Sequence, residues 1–190
     1  MSLFLANLAE HRDVFSRLDG LDANVSAAGN AITEALREGN KVMFCGNGGS
    51  AADSQHLAAE LTGRFIKDRP PLAAIALNTD SSALTCIGND YSFADVFIRQ
   101  VRGLGRKGDC LVGISTSGNS ENVLRAFECA REIGIVTIGL LGRDGGKIKA
   151  LSDHAIIVPN DVTARIQEAH ILIGHTLWGQ IEEQLGLVDA

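Results

Sequence analysis

Short apolar runs alternate with helical patterns from residue 41 onwards, and this alternation constrains the fold more than any other feature of the chain. The predicted strands are 41–46, 73–77, 109–115, 135–141 and 154–158. The predicted helices are 51–62, 80–88, 93–104, 120–133, 145–151 and 163–186. Alternation of this kind is typical of parallel strands joined by crossover helices. We therefore predict an α/β fold of three layers, in which a doubly wound, five-stranded parallel sheet carries helices on both faces.

Two further helical patterns, 3–18 and 21–38, precede the first strand and predict an N-terminal helical hairpin over 1–38. No linker, repeat or low-complexity tract interrupts the remaining sequence, so we expect one domain over 1–190. With 190 residues, of which 45% are hydrophobic, the chain is long enough to bury a substantial core.

Composition excludes several classes of partner. The formal net charge is −6 and lysines and arginines do not cluster, so the chain lacks the basic face that nucleic-acid binding needs. The longest strongly apolar segment, 135–141, is far shorter than the roughly 20 residues that cross a bilayer. The first residues lack the basic region of a signal peptide. We expect a soluble, cytoplasmic protein that binds neither nucleic acid nor membrane.

Two loops of glycine and hydroxyl residues lie between a predicted strand and a predicted helix. The first reads Gly-Asn-Gly-Gly-Ser over 46–50, and the second reads Ser-Thr-Ser-Gly-Asn-Ser over 115–120. Loops of small residues let a phosphate approach the unpaired N–H groups at a helix N-terminus. With the flavodoxin-like strand order 2-1-3-4-5, both loops lie at the switch point, where open parallel sheets bind ligands. The sequence therefore predicts a site for a phosphorylated small molecule.

Single loop residues also have structural explanations. Ser120 fits a helix N-cap and Gly118 a turn residue, but four hydroxyl residues in six positions exceed what one cap requires. The predicted phosphate contacts of this loop are Ser115, Thr116, Ser117 and Ser120. The spacing of Ser50 and Asp53 fits a capping box, so we interpret Asp53 as a capping residue.

A nucleotide cofactor is a weaker interpretation of the first loop. Gly46, Gly48 and Ala51 satisfy the relaxed dinucleotide fingerprint. The acidic residue of that fingerprint should follow about 20 positions later. The candidate here, Asp80, lies 34 positions beyond Gly46. We therefore expect no nucleotide cofactor.

Candidate catalytic groups lie on two predicted helices. His56 and Glu60 are four residues apart, so both project from one face of helix 51–62, where they could pair or bind a metal. Such a pair is also common on solvated helix faces. His175 is followed by bulky apolar residues and equally fits a core histidine. The residues alone leave these alternatives open.

Longer blocks of sequence carry a family resemblance. The blocks read CGNGGSAAD over 45–53, QHLAAELTGRF over 55–65, IGNDY over 87–91, GISTSGNS over 113–120 and TARIQEAH over 163–170, with His175 beyond. In this order, and across nearly the whole chain, they resemble the bacterial phosphoheptose isomerases of the sugar isomerase (SIS) fold.

The resemblance implies isomerisation of sedoheptulose 7-phosphate to D-glycero-D-manno-heptose 7-phosphate through an enediol, towards the ADP-heptose of lipopolysaccharide core. Glu60 matches the family's base, and His175 matches the group that moves protons at the oxygens or assists ring opening. The expected phosphate ligands are Ser50, Ser115, Thr116, Ser117 and Ser120. The other positions that match the substrate site are Asn47, Gly48, Arg64, Asp90 and Gln167.

The resemblance also bears on metal and assembly. Some family members bind zinc, and the matching ligands are His56, Glu60, Gln167 and His175. The family is tetrameric with active sites between subunits, so we expect a homotetramer that uses the hairpin 1–38 and the apolar last helix. One alternative is a non-catalytic SIS tetramer that acts as an adaptor for a replication initiator. Another is a different aldose–ketose phosphate isomerase, although arabinose 5-phosphate isomerases usually carry extra regulatory domains.

Overall fold

A computed structural model describes residues 1–188, so the last two residues of the predicted domain lie outside the described part. Its strands are β1 (Val42–Gly46), β2 (Ala74–Ala76), β3 (Cys110–Ser115), β4 (Val136–Gly142) and β5 (His154–Val158). They form one parallel sheet in the order β2-β1-β3-β4-β5. The predicted sheet and its strand order are confirmed.

Among residues 1–188, two α-helices precede the first strand, one follows the last, and four lie in the first three intervals between strands. They are α1 (Leu3–Phe15), α2 (Asp22–Arg37), α3 (Gly49–Thr62), α4 (Ser81–Asp90), α5 (Ile98–Leu104), α6 (Glu121–Ile133) and α7 (Thr163–Gln184). The predicted helix 93–104 divides into a 3-10 turn, Phe93–Asp95, and α5. The prediction of an α-helix over 145–151 is wrong. Gly145 and Gly146 adopt positive φ angles, which an α-helix does not contain, and the segment forms only a 3-10 turn, Ile148–Leu151.

Both faces of the sheet are covered, as predicted. On one face α2, α3 and α7 pack around a core that includes Ile32 and Trp178. On the other face α4, α5 and α6 contribute Ile87, Val101 and Phe127 to a second core. Every residue of β1 and β3 is buried, which is the pattern expected of central strands in a doubly covered parallel sheet.

The sheet reverses its winding between β1 and β3. These strands are neighbours, paired from Val42 opposite Cys110 to Gly46 opposite Ile114. The helix after β1, α3, packs on one face, whereas the helix after β3, α6, packs on the other. The two connections therefore diverge at the carboxyl ends of β1 and β3 and open a crevice there. This is the predicted switch point, and it carries both glycine/serine loops.

The N-terminal helices α1 and α2 both contact α7. Arg165, near the start of α7, donates to the Asn7 carbonyl over 2.6 Å and to Glu168 over 2.7 Å. The second carboxylate oxygen of Glu168 forms a 2.8 Å hydrogen bond with His11 Nδ1. The apolar side chains of residues 3–5 on α1 nevertheless stay exposed. None of the helices within residues 1–188 has the length and apolarity needed to cross a bilayer.

Candidate active site

Two imidazoles and a carboxylate meet between α3 and α7. His56 Nε2 lies 3.2 Å from His175 Nε2 and 3.4 Å from Glu60 Oε1. His175 Nε2 lies 3.6 Å from the same Glu60 oxygen. Glu60 Oε2 is buried and has no hydrogen-bond partner among the described residues. The three side chains that we singled out from the sequence therefore form one cluster, whose remaining carboxylate oxygen has no partner among the described residues.

Helix packing brings the cluster together. His56 and Glu60 are one turn apart on α3, and the close approach of α7 supplies His175. A methyl group at Gly174 would lie 2.5 Å from Leu57 Cδ2, so the absence of a side chain there permits this approach. The ring of Phe65 stacks on that of His175, with 5.4 Å between centroids and 29° between planes. Helix α3 itself therefore places His56 beside Glu60, and the packing of α7 and Phe65 places His175 there.

The first glycine/serine loop begins α3 without a side-chain cap. Gly48 occupies the N-cap position with φ 56°, and no side chain accepts a hydrogen bond from the first turn. A Cβ atom at Gly46 would lie 2.7 Å from the Ser50 carbonyl oxygen, so only glycine allows the chain to turn this tightly. Ser50 itself is buried in the first turn of α3. The N–H groups of Ser50 and Ala51 donate to the Asn47 and Gly48 carbonyls, so those of Gly48 and Gly49 are the ones available to an anion among the described contacts.

The second loop is arranged similarly at the start of α6. Ser120 occupies the N-cap position, yet its side chain makes no capping bond and instead lies 2.9 Å from Ser115 Oγ. Thr116 and Ser117 are half-buried on the same loop. Gly118 has φ 64°, and a Cβ there would lie 2.0 Å from the Gly145 carbonyl oxygen. The hydroxyl residues predicted to contact phosphate therefore surround an uncapped helix end, held from behind by the loop after β4.

A pair of amides joins the two loops. Asn47 Nδ2 donates to Asn122 Oδ1, and Asn122 Nδ2 donates back to Asn47 Oδ1, both over 2.9 Å. Asn122 is buried. The Asn47 side chain, predicted to contact substrate, is thus already engaged with the protein. Sequence reasoning missed Asn122, although a polar residue at the start of an apolar helix face was the available signal.

Asp53 does not cap a helix, so that interpretation is wrong. Because Gly48 starts α3 early, Ser50 and Asp53 both lie inside the helix rather than at its end. Partial burial raises the pKa of Asp53, an effect that His56 partly offsets. Its Oδ2 atom is buried without a hydrogen-bond partner among the described residues. Asp53, Gln167 and His175 line one cavity of about 570 Å³, which places this carboxyl group in the candidate site.

Gln167 lies at the other end of this cavity. A Cβ at Gly49 would be 2.4 Å from Gln167 Nε2, so the amide rests on the first turn of α3. The helical rise between Gly49 and His56 separates that turn from the cluster by about 10 Å. The uncapped helix end and the cluster are therefore neighbouring regions along α3 rather than a single point.

Arg64 and Asp90 are not brought to the cluster. Both residues are exposed. Asp90 interacts with its neighbours Asn89 and Cys86 at the end of α4. Neither residue makes a hydrogen bond or ion pair with the cluster within residues 1–188. Their predicted place in a substrate site is not formed by the contacts of one chain.

The core histidine of α7 is His170 rather than His175. His170 is fully buried, and its Nε2 lies 3.0 Å from the Leu141 carbonyl oxygen, to which it donates. Burial lowers the pKa of His170 to about 4. His175 keeps about a third of its side chain exposed, with 36% accessible. The two histidines are five positions apart and face opposite sides of the helix.

Comparison with known proteins agrees with this architecture. Residues 7–142 match the SIS domain family. That span includes the switch point, both glycine/serine loops and the α3 part of the cluster. The fold and the site thus define a SIS domain.

Relatives that are similar over almost the full chain identify the family within the SIS domains. A phosphoheptose isomerase from a Nitratiruptor species is 59% identical over 177 residues, covering 93% of this chain and 95% of the relative. One from Rhodospirillum rubrum is 54% identical over 173 residues, covering 91% and 92%. The solved phosphoheptose isomerase from Neisseria gonorrhoeae superposes with a TM-score of 0.90 at 48% identity, covering 95% and 97%. The chain therefore belongs to the phosphoheptose isomerase family.

Proposed function

We propose that the protein isomerises sedoheptulose 7-phosphate to D-glycero-D-manno-heptose 7-phosphate, which supplies the ADP-heptose of lipopolysaccharide core. The observation that carries this proposal is the Glu60 carboxylate, which lies within 3.4 and 3.6 Å of two imidazoles. Proton transfer between two adjacent carbons needs one positioned base of this kind. Three ionisable side chains that converge from two helices, with the Glu60 carboxylate only 18% exposed, favour an enzyme over a non-catalytic adaptor.

The substrate carries its phosphate and its reacting carbons at opposite ends. We place the phosphate at the two uncapped helix ends, where Ser50, Ser115, Thr116, Ser117 and Ser120 supply hydroxyl groups and Gly48 exposes backbone. C1 and C2 then lie at the cluster, further along α3. Asn47 supports the phosphate end through its bond to Asn122, and Gln167 rests on Gly49 at the same end. The separation along α3 suits a long sugar phosphate.

In the proposed reaction Glu60 removes a proton from C1 of the ketose, and the carbonyl oxygen on C2 gains a proton to give the enediol. Glu60 then returns a proton to C2, while the C1 hydroxyl loses its proton and becomes the aldehyde. His175 moves the protons between the two oxygens. Its ring is oriented for this role by Phe65, and its Nε2 already faces Glu60. Asp53, with its unpaired buried oxygen, lines the same cavity.

His56, Glu60 and His175 could also hold a metal ion, since their ligand atoms lie within 4.8 Å of one another. Zinc binds four ligands tetrahedrally at about 2.0–2.2 Å, which separates two ligand atoms by about 3.3 Å. The three distances here are 3.2, 3.4 and 3.6 Å, so the triad fits one face of that tetrahedron. We propose zinc as the ion, held by these three side chains; Gln167, the other predicted ligand, rests against Gly49 and would join them only by turning towards the cluster. When bound, zinc polarises substrate oxygens as a Lewis acid.

We further propose that 1–190 is one SIS domain and that four copies assemble with sites between subunits. Exposed apolar residues 3–5 on α1 offer a surface for such assembly. The exposed positions of Arg64 and Asp90 agree with a site completed by a second subunit, where they would line the sugar.

Turnover of sedoheptulose 7-phosphate by the purified protein tests the function. We expect the wild type to form the aldose phosphate, detected by proton NMR, and Glu60→Gln to form none at a detectable rate. Glu132→Gln, an exposed carboxylate on α6, is the matched control and should retain wild-type turnover. No turnover by the wild type, with or without added zinc, would favour the adaptor instead.

A further inference from the structure

The connection between α3 and β2, residues 63–73, contains a fully buried arginine. The side chain of Arg69 is only 1% exposed, and its Nε donates over 2.8 Å to Glu182 on α7, whose side chain is 2% exposed. A buried charge pair of this kind costs desolvation energy that pairing alone seldom repays. Other contacts of the guanidinium must therefore contribute to its stability in the interior.

Those groups are backbone carbonyls at the end of α3. Arg69 Nη2 donates to the Glu60 carbonyl over 2.7 Å. Arg69 Nη1 donates to Leu61 over 2.7 Å, to Gly63 over 3.2 Å and to Pro70 over 3.1 Å. The last carbonyls of a helix have no partner within the helix, and a cation there is stabilised by the helix dipole. Arg69 thus caps the turn of α3 that carries Glu60.

The same guanidinium connects that turn to the helix that carries His175. Glu182 is seven residues after His175, two turns further along α7. Arg69 therefore fixes the Glu60 backbone relative to α7 at one point. Phe65, from the same connection, stacks on His175 at another. Both contacts adjoin the 3.6 Å approach of Glu60 to His175 in sequence. Phe65 follows Glu60, and Glu182 follows His175.

We propose that Arg69, paired with Glu182, is a positioning residue for the isomerisation, because it holds Glu60 in register with His175. The role rests on the proposed function of Glu60. Arginine is required here because its planar group presents five N–H donors, whereas lysine presents three donors from one atom. A misplacement of about 1 Å at a reacting group can cost about 100-fold in rate. The loss should therefore appear in kcat more than in KM, since the phosphate loops lie elsewhere.

The test compares three variants with the wild type. Arg69→Lys keeps the charge opposite Glu182 but loses most of the carbonyl contacts. Arg69→Met combined with Glu182→Leu removes the ion pair without leaving a lone buried charge. Lys41→Met combined with Asp109→Leu is the control, because it removes a second ion pair, half-buried and of 2.6 Å, that joins the amino ends of β1 and β3 rather than α3 and α7. Circular dichroism establishes the folded fraction of each variant, and turnover of sedoheptulose 7-phosphate gives kcat and KM.

We expect the Arg69→Met/Glu182→Leu protein to lose at least about tenfold in kcat with KM within about threefold of wild type, and Arg69→Lys to lie in between. The control should keep wild-type kcat. Wild-type kcat in the folded double variant, or an equal loss in the control, would overturn the positioning role. If the double variant does not fold, Arg69→Lys decides alone, and wild-type kcat in it overturns the role. A wild type without turnover would instead refute the proposed function.

Discussion

Replacement of His170 should change how the stability of the protein responds to acid. His170 is neutral in the native state because burial lowers its pKa to about 4, from an ordinary value of 6.5. Between these two values the unfolded chain binds a proton that the native chain does not bind. The free energy of unfolding is therefore undiminished by His170 above about pH 6.5 and falls as the pH decreases towards 4.

The size of the effect follows from the two pKa values. The full difference corresponds to about 3 kcal/mol, of which about 2 kcal/mol is lost between pH 7.5 and pH 5. His170→Gln removes the titrating group while its amide can still donate to the Leu141 carbonyl. We expect the decrease in unfolding free energy between these pH values to be about 2 kcal/mol smaller in the variant than in the wild type.

Urea denaturation followed by circular dichroism at both pH values measures this difference, at one protein concentration throughout. His154→Gln, at a half-buried histidine on β5, controls for the loss of one imidazole. An unchanged acid response in His170→Gln would refute the reasoning. A lower stability of that variant at both pH values would not, because only the difference between them reports the titration.

Three further predictions concern close approaches and the metal. Gly174→Ala places a methyl group 2.5 Å from Leu57 Cδ2. We expect about 1–3 kcal/mol lower unfolding free energy by urea denaturation, and reduced kcat as α7 shifts from α3. Gly118 has a φ of 64°, and the Cβ of Gly118→Ala would lie 2.0 Å from the Gly145 carbonyl oxygen. This clash should displace the loop 115–120, so steady-state kinetics should show a raised KM for sedoheptulose 7-phosphate. Titration calorimetry with zinc should reveal a site that His56→Ala abolishes, because one of three ligands is lost.

Each of these has a control within the chain. Gly179→Ala lies on the same helix as Gly174 with no neighbour within 4 Å, so it should leave kcat unchanged. Gly39 also has a positive φ, of 80°, but a Cβ there would have no neighbour within 4 Å. Gly39→Ala therefore controls for Gly118→Ala, because it introduces backbone strain without a clash. His154→Ala should retain zinc binding. A control that behaves like its partner would contradict the corresponding packing or ligand argument.

The sheet could be predicted because local and global patterns agree. Apolar runs indicated five strands, and the flavodoxin-like order 2-1-3-4-5 was supported because it places both glycine/serine loops at one switch point. The observed order, β2-β1-β3-β4-β5, confirms it. The pattern of residues 145–151 misled because the backbone conformation of Gly145 and Gly146 is not visible in periodicity. The Ser50 and Asp53 spacing misled for a similar reason, since Gly48 begins α3 early.

The candidate site was only partly accessible to sequence reasoning. His56 and Glu60 share a helix face, so their pairing follows from spacing, whereas their contact with His175 needs the packing of α7. Both His170 and His175 lie among apolar residues of the last helix, so the local sequence did not show which of the two is buried. Arg69 carried no signal at all, because its near partners are backbone carbonyls, which no residue type marks, and its carboxylate partner lies 113 positions away. Long-range contacts of this kind arise only from the assembled fold.

Isomerisation in deuterated water tests the central claim most directly. If Glu60 transfers a proton through an enediol, the aldose phosphate formed from sedoheptulose 7-phosphate acquires deuterium at C2, which proton NMR detects as loss of the C2 signal. We expect deuterium at C2 with the wild type and with Glu132→Gln, and no product with Glu60→Gln. Product without deuterium at C2 would mean that Glu60 returns the C1 proton to C2 before that proton exchanges with solvent. An undiminished rate in Glu60→Gln would contradict the assignment of Glu60 as the base.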